Sequence, residues 1–228
     1  MTQEPSTRLS HYIRIPDTNI RIDARKQSCN GLVSHEAKNA LGMESNGRYF
    51  MPSPEPFMRF YNSLIAAEAG KITLRSGSNK PLRKQEVNGL YERFVLGKHG
   101  GVWTHLNARF VAGSGYHDLD MIADERMIPD GKGMRVSFAR HPLEEHVDGH
   151  GIIVSTIFNS QGWPTRKSEC AELQPGKNIF FWQPYEDSVA GFGADAGRAL
   201  LSCGRDPQDS GSALGVFACA EGAPRRTK

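Results

Sequence analysis

Ser188–Ser212 reads SVAGFGADAGRALLSCGRDPQDSGS, and its spacing decides how the C-terminal part of the chain is built. The even positions Ala190, Phe192, Ala194 and Ala196 are apolar, while the odd positions Gly191, Gly193, Asp195 and Gly197 carry glycine or aspartate. A period of two is the signature of a strand with one face packed and one face free. Glycine is a poor strand residue, because it loses entropy and offers nothing to pack; here it recurs on the outward face only. Beyond Arg198 the parity switches. Leu201, Cys203, Arg205 and Pro207 become framework, and Leu200, Ser202, Gly204 and Asp206 become the outward set. A bulge or bend near Arg198 to Leu200 would produce that shift. Asp209, Gly211 and Ala213 continue the outward series between Ser210, Ser212 and Leu214, and Leu214 to Cys219 reads as a closing strand. On composition alone the stretch also reads as a glycine-rich β edge with no binding role.

Working back from there, Ile179-Phe180-Phe181-Trp182 and Ile152-Ile153-Val154 read as core strands. Val102, Leu106, Ala108 and Phe110 alternate with Trp103, His105, Asn107 and Arg109, as in a half-buried strand. Two helices are expected before it, at about 53–69 and 84–96. Ser53-Pro54-Glu55 offers an N-cap with proline at the first helical position. Phe57, Phe60, Tyr61, Leu64 and Ile65 then form one apolar stripe, and Val87, Leu90, Tyr91, Phe94 and Val95 repeat the spacing. Residues 1–50 are polar and weakly patterned, with hints of short strands at Ile13, Ile15, Ile20 and Ile22. They read as an N-terminal extension packed on a domain of residues 51–222, and 223–228 reads as a basic disordered tail. The expected class is α+β: two helices with short, mostly antiparallel strands and long loops.

Composition narrows the function. Of 228 residues, 38% are apolar and 23% charged, enough for a core and a solvated surface. The 28 basic and 25 acidic residues give a net charge of only +3, and no basic stripe with interleaved aromatics is visible, so a nucleic-acid partner is not expected. Met1–Ser10 has no apolar core of a secretory signal, and no apolar run is long enough to span a bilayer. Synthesis in a cytoplasm is expected, without membrane insertion, and any display on a virion or cell surface would need another route.

The candidates for chemistry are few. His141, His146 and His150 lie among Glu144, Glu145 and Asp148, and a His-x-x-x-His pair on a helix can hold a metal. Gly149, Gly151 and Pro142 oppose a helix there, so a solvated polar loop is the better reading. Asp118, Asp120, Asp124 and Glu125 follow a strand and read as surface charge. Cys203 and Cys219 sit among small apolar residues, as buried thiols do. No nucleophile elbow, phosphate loop or dinucleotide fingerprint appears. No enzyme activity, cofactor or catalytic metal is expected.

The run SVAGFGADAGRALLSCGRDPQDSGSALGVFACAEG resembles the variable region of diversity-generating retroelement target proteins, closest to the archaeal and archaeal-virus members. Ser188, Val189, Ala190, Phe192, Ala194, Arg198, Ala199, Leu201, Cys203, Arg205, Pro207, Ser210, Ser212, Leu214, Gly215 and Val216 fit that family's framework. Ala196 departs where serine is the pattern. The resemblance implies a C-type-lectin-like fold with the variable residues on one surface. It also implies that an error-prone reverse transcriptase randomises adenines, turning AAC or AAT codons into many others but never into Lys, Gln, Glu, Met or Trp. The variable positions would be Gly191, Gly193, Asp195, Gly197, Leu200, Ser202, Gly204, Asp206, Asp209, Gly211 and Ala213, none of which holds an excluded residue. Ligand specificity would reside there and nowhere else. The partner implied is an unknown macromolecule, a cell-surface or viral protein. The alternatives are an oxidase of formylglycine-generating type on Cys203 and Cys219, or a metal-dependent hydrolase on the three histidines.

Overall fold

The stretch from Val189 to Arg205 forms two neighbouring strands near the middle of a much larger sheet. In the computed structural model, residues 12–28, 36, 37, 39, 48–209 and 215–221 are described, with 26–28 described for backbone alone. The elements are β1 (Tyr12–Arg14), β2 (Ile20–Ser28), α1 (Pro54–Glu68), β3 (Arg75–Ser76), α2 (Lys84–Phe94), β4 (Val102–Ala112), β5 (Leu119–Pro129), β6 (Met134–Pro142), β7 (His150–Ser155), β8 (Asn178–Trp182), β9 (Val189–Asp195), β10 (Arg198–Arg205) and β11 (Gly215–Glu221). All eleven strands join one sheet in the order β3-β1-β2-β11-β4-β9-β10-β8-β7, with β5 pairing on β4 and β6 on β5. The sheet is mixed, because β10 runs parallel to β8 and β11 parallel to β4.

The two helices lie where the apolar stripes place them. Pro54 starts α1 with its preset φ, and Ser53 stands extended at the N-cap position. The Ser53 hydroxyl does not cap the helix; it donates to Asp124 Oδ1 at 2.9 Å. α2 opens on a reciprocal pair in which Glu86 accepts from the Arg83 backbone N–H at 2.7 Å. Phe57, Phe60, Tyr61 and Leu64 on α1 are fully buried. They cover the inner face of the sheet: the Phe57 ring lies 5.0 Å from Phe192 and Tyr61 lies 5.5 Å from it. Phe94 of α2 packs 5.0 Å from Phe217 of β11. Each such ring is worth about 1.5–3 kcal/mol in transfer from water.

The expected α+β fold of C-type-lectin type is not what forms. The chain is mostly β, with one large mixed sheet of eleven strands rather than a small curved one beside two helices. The difference has two sources. β1 and β2, read from sequence as hints within an extension, are members of the central sheet, because β2 pairs antiparallel along β11. Residues 119–142 form the long β5–β6 hairpin, where only short strands and long loops were expected. Among the described residues, no helix is long and apolar enough to cross a membrane.

Candidate binding face

The β9–β10 hairpin turns through Ala196 and Gly197, both at positive φ (46° and 78°), between the paired residues Asp195 and Arg198. Two central residues with φ above zero make the tight turn that matches strand twist. Across it Gly193 pairs with Leu200 and Gly191 with Ser202. Odd residues of β9 therefore share a face with even residues of β10. The turn itself switches the parity, and no bulge is needed near Arg198 to Leu200. The irregularity in this pair falls later, between Ser202 and Arg205. Gly197 is consequently a turn residue whose conformation excludes most side chains, and the tip is fixed by Gly197 N–H donating to Leu96 O at 2.8 Å.

The inward set is sealed. Ala190, Phe192, Ala194, Leu201 and Cys203 are 0% exposed and Ala199 is 3% exposed. Ser188 pins the start of β9 by donating to Cys203 O at 2.7 Å. On the other face lie Gly191, Gly193, Leu200 and Ser202, with Asp195 exposed at the tip. Asp206 is exposed in the turn after β10, where it accepts from Gln208 N–H at 2.8 Å, and Asp209 forms an ion pair with Arg205. Gly211 and Ala213, with Ser210, Ser212 and Leu214, lie outside the described residues.

Neighbouring strands extend this face with residues that sequence reading assigned elsewhere. β4 places Trp103 opposite Gly193 and His105 opposite Gly191. β8 places Phe180 opposite Leu200 and Trp182 opposite Ser202; their rings are 5.9 Å apart. A row of aromatics thus brackets the small residues of the hairpin. The signal that could have found them is parity: Trp103, Phe180 and Trp182 each alternate with a fully buried neighbour, Val102, Ile179 or Phe181.

Gly191 and Gly193 are buried, not open. A Cβ on Gly193 would stand 2.7 Å from Trp103 Cζ3, and one on Gly191 would stand 2.8 Å from Arg205 Cδ. The indole and the guanidinium stem lie across the glycines. Any side chain at 193 must lift the Trp103 ring and so reshape the face beyond its own atoms. Gly193→Asn is expected to cost about 1–3 kcal/mol by overpacking, against the near-neutral cost expected of a free surface. Trp103→Ala should relieve most of it, which a double-mutant cycle in chemical denaturation measures. Additive costs would show that the ring does not rest on Gly193.

Beneath this layer His105 is 1% exposed, and neither ring nitrogen has a partner. Burial, helped by the nearby Arg205 cation, pushes its pKa down to about 4. The imidazole is neutral there and acts as a buried spacer.

The remaining candidates separate in space. His141 is exposed on β6 and His150 exposed at the start of β7, while His146 is buried between them in sequence. His146 packs edge-on to Tyr116 at 5.0 Å and Phe181 at 5.9 Å. It faces His117, not its two sequence neighbours, at 6.0 Å, and His117 Nε2 lies 2.6 Å from Asp148 Oδ1. That imidazole holds the Asp148 carboxyl below its usual range. Of the acids after β4, Asp120 accepts from Arg140 at 2.7 Å and from Ser114 N–H at 2.9 Å, and Asp124 accepts from Ser53. Cys203 and Cys219 are 0% exposed, and burial pushes both thiols up, away from the nucleophilic thiolate. No family model, curated protein or solved structure matches the chain.

Proposed function

We propose that the protein is a ligand-binding protein of receptor or adhesion type, not an enzyme, and that the β9–β10 face is its recognition surface. The carrying observation is the division of labour along the hairpin: the inward residues are 0–3% exposed, and the alternating residues face away from them. Change at the outward positions does not reach the sealed inward set, although at Gly191 and Gly193 it must displace Arg205 or Trp103 on the outer face. The reading assigns variation to Gly191, Gly193, Asp195, Leu200, Ser202, Gly204, Asp206 and Asp209, produced by retroelement mutagenesis. It assigns constant anchoring to Trp103, Phe180 and Trp182, since aromatic side chains dominate binding hot spots. The partner is a macromolecular surface, a cell-surface or viral protein. Sequencing the genomic neighbourhood tests this. A reverse transcriptase gene should lie nearby, with a near-copy of the DNA for residues 188–214 carrying adenines at the outward codons. A locus without either, and copies identical at codons 191, 193 and 195, would overturn the reading.

A further inference from the structure

The small sheet edge formed by β3, β1 and β2 carries a row of three like charges. Arg14 pairs directly with Arg21 on one side and with Arg75 on the other. Their strand neighbours Ile13, Ile22 and Ser76 are buried on the opposite face, so all three arginines share the outer one. Like charges placed directly opposite across strands repel. Among the described residues none of the three forms an ion pair. All three line one groove of about 840 Å³, with Asp17 the only carboxylate among the described residues of its wall. Thr73 and Asn79 add neutral polar groups, and Arg75 Nη1 donates to Asn79 O at 3.0 Å, which orients its guanidinium. The wall therefore carries two formal positive charges more than negative ones.

We propose that this groove binds a dianionic phosphate group. The excess of two charges matches the ligand. Guanidinium forks bond phosphate oxygens in pairs, and an anion between them converts the repulsion along the row into attraction. The site lies on strands β1–β3 and does not depend on the reading of the β9–β10 face.

The experiment is calorimetric titration of the full chain at low ionic strength, where charge contacts are least screened. The titrants are inorganic phosphate and, separately, a phosphoserine peptide. Both Arg14→Gln and Arg21→Gln should weaken binding about tenfold or more and should abolish the rise in Tm that phosphate gives the parent. Lys132→Gln, an exposed charge at the β5–β6 turn, should leave both unchanged. Equal affinity for the two titrants assigns the site to free phosphate, and tighter binding of the peptide assigns it to phosphate presented on a protein; either supports the proposal. Absence of binding by both titrants overturns it, as does an equal loss in Lys132→Gln, which would mean diffuse charge and not a site.

Discussion

Phe192→Ala is expected to lower the free energy of unfolding by about 3–5 kcal/mol, a large share of a total of about 5–15 kcal/mol. The ring is fully buried at the junction of β9 with α1, within 5.0 Å of Phe57 and 5.5 Å of Tyr61. Removing it loses the transfer energy of the ring and leaves a cavity that rings on α1 and a central strand cannot readily close. Leu200→Ala, on the opposite face of the next strand and half-buried, supplies the comparison and should cost clearly less. Chemical denaturation of both variants measures the difference. Equal costs would mean that the inward and outward assignments of the hairpin do not hold.

Stability should also fall steeply in weak acid. His105 has a folded-state pKa of about 4, below its unfolded value of 6.5. Above pH 6.5 it is neutral in both states and contributes no pH dependence. Between pH 6.5 and 4 the unfolded chain takes up a proton that the folded chain refuses, so stability is lost as pH falls through that window. At about 1.36 kcal/mol per pH unit the loss reaches about 3 kcal/mol by pH 4. His146 shifts the same way through burial and adds to the slope. Asp148 and Asp120, both held below their usual ranges, lose stability only at lower pH as they protonate. Denaturation curves of the parent and His105→Gln at pH 7, 6 and 5 separate these contributions. A parent whose stability is flat from pH 7 to 5 would mean that His105 reaches water or a partner when protonated.

Periodicity made part of this legible beforehand. Phe57, Phe60, Tyr61 and Leu64 located α1 because apolar residues repeating every 3.6 positions line up on one side of a helix and must be buried there. The alternation from Ala190 to Ala194 located the buried side of β9 because a strand between two others must keep its parity. The size of the sheet was not legible. In β2, Ile20, Ile22 and Ala24 alternate with Arg21, Asp23 and Arg25, which marks a strand but not its place; its partner β11 lies almost two hundred residues away in the chain, so local spacing carries no trace of the pairing. β6 exposes Val136 and Phe138 (46% and 54%) and therefore reads against its own burial. Phe180 and Trp182 were missed because Ile179–Trp182 reads as one continuous core run, and Trp103, though its parity sets it opposite Val102, joins them only through the register of β4 and β8 with β9 and β10.

The two-residue turn at Ala196 and Gly197 has a consequence for heredity. Each cross-strand pair it sets, from Asp195 with Arg198 to Gly191 with Ser202, depends on a fixed number of residues between the partners. One codon added or lost there would exchange the faces of one strand against the other, sending Leu201 to the outside and Leu200 beneath the helices. Lineages of this hairpin are thus confined to spelling changes at constant length. A mutator that replaces letters while conserving their number keeps this register; one that slips reading length loses it at the first step.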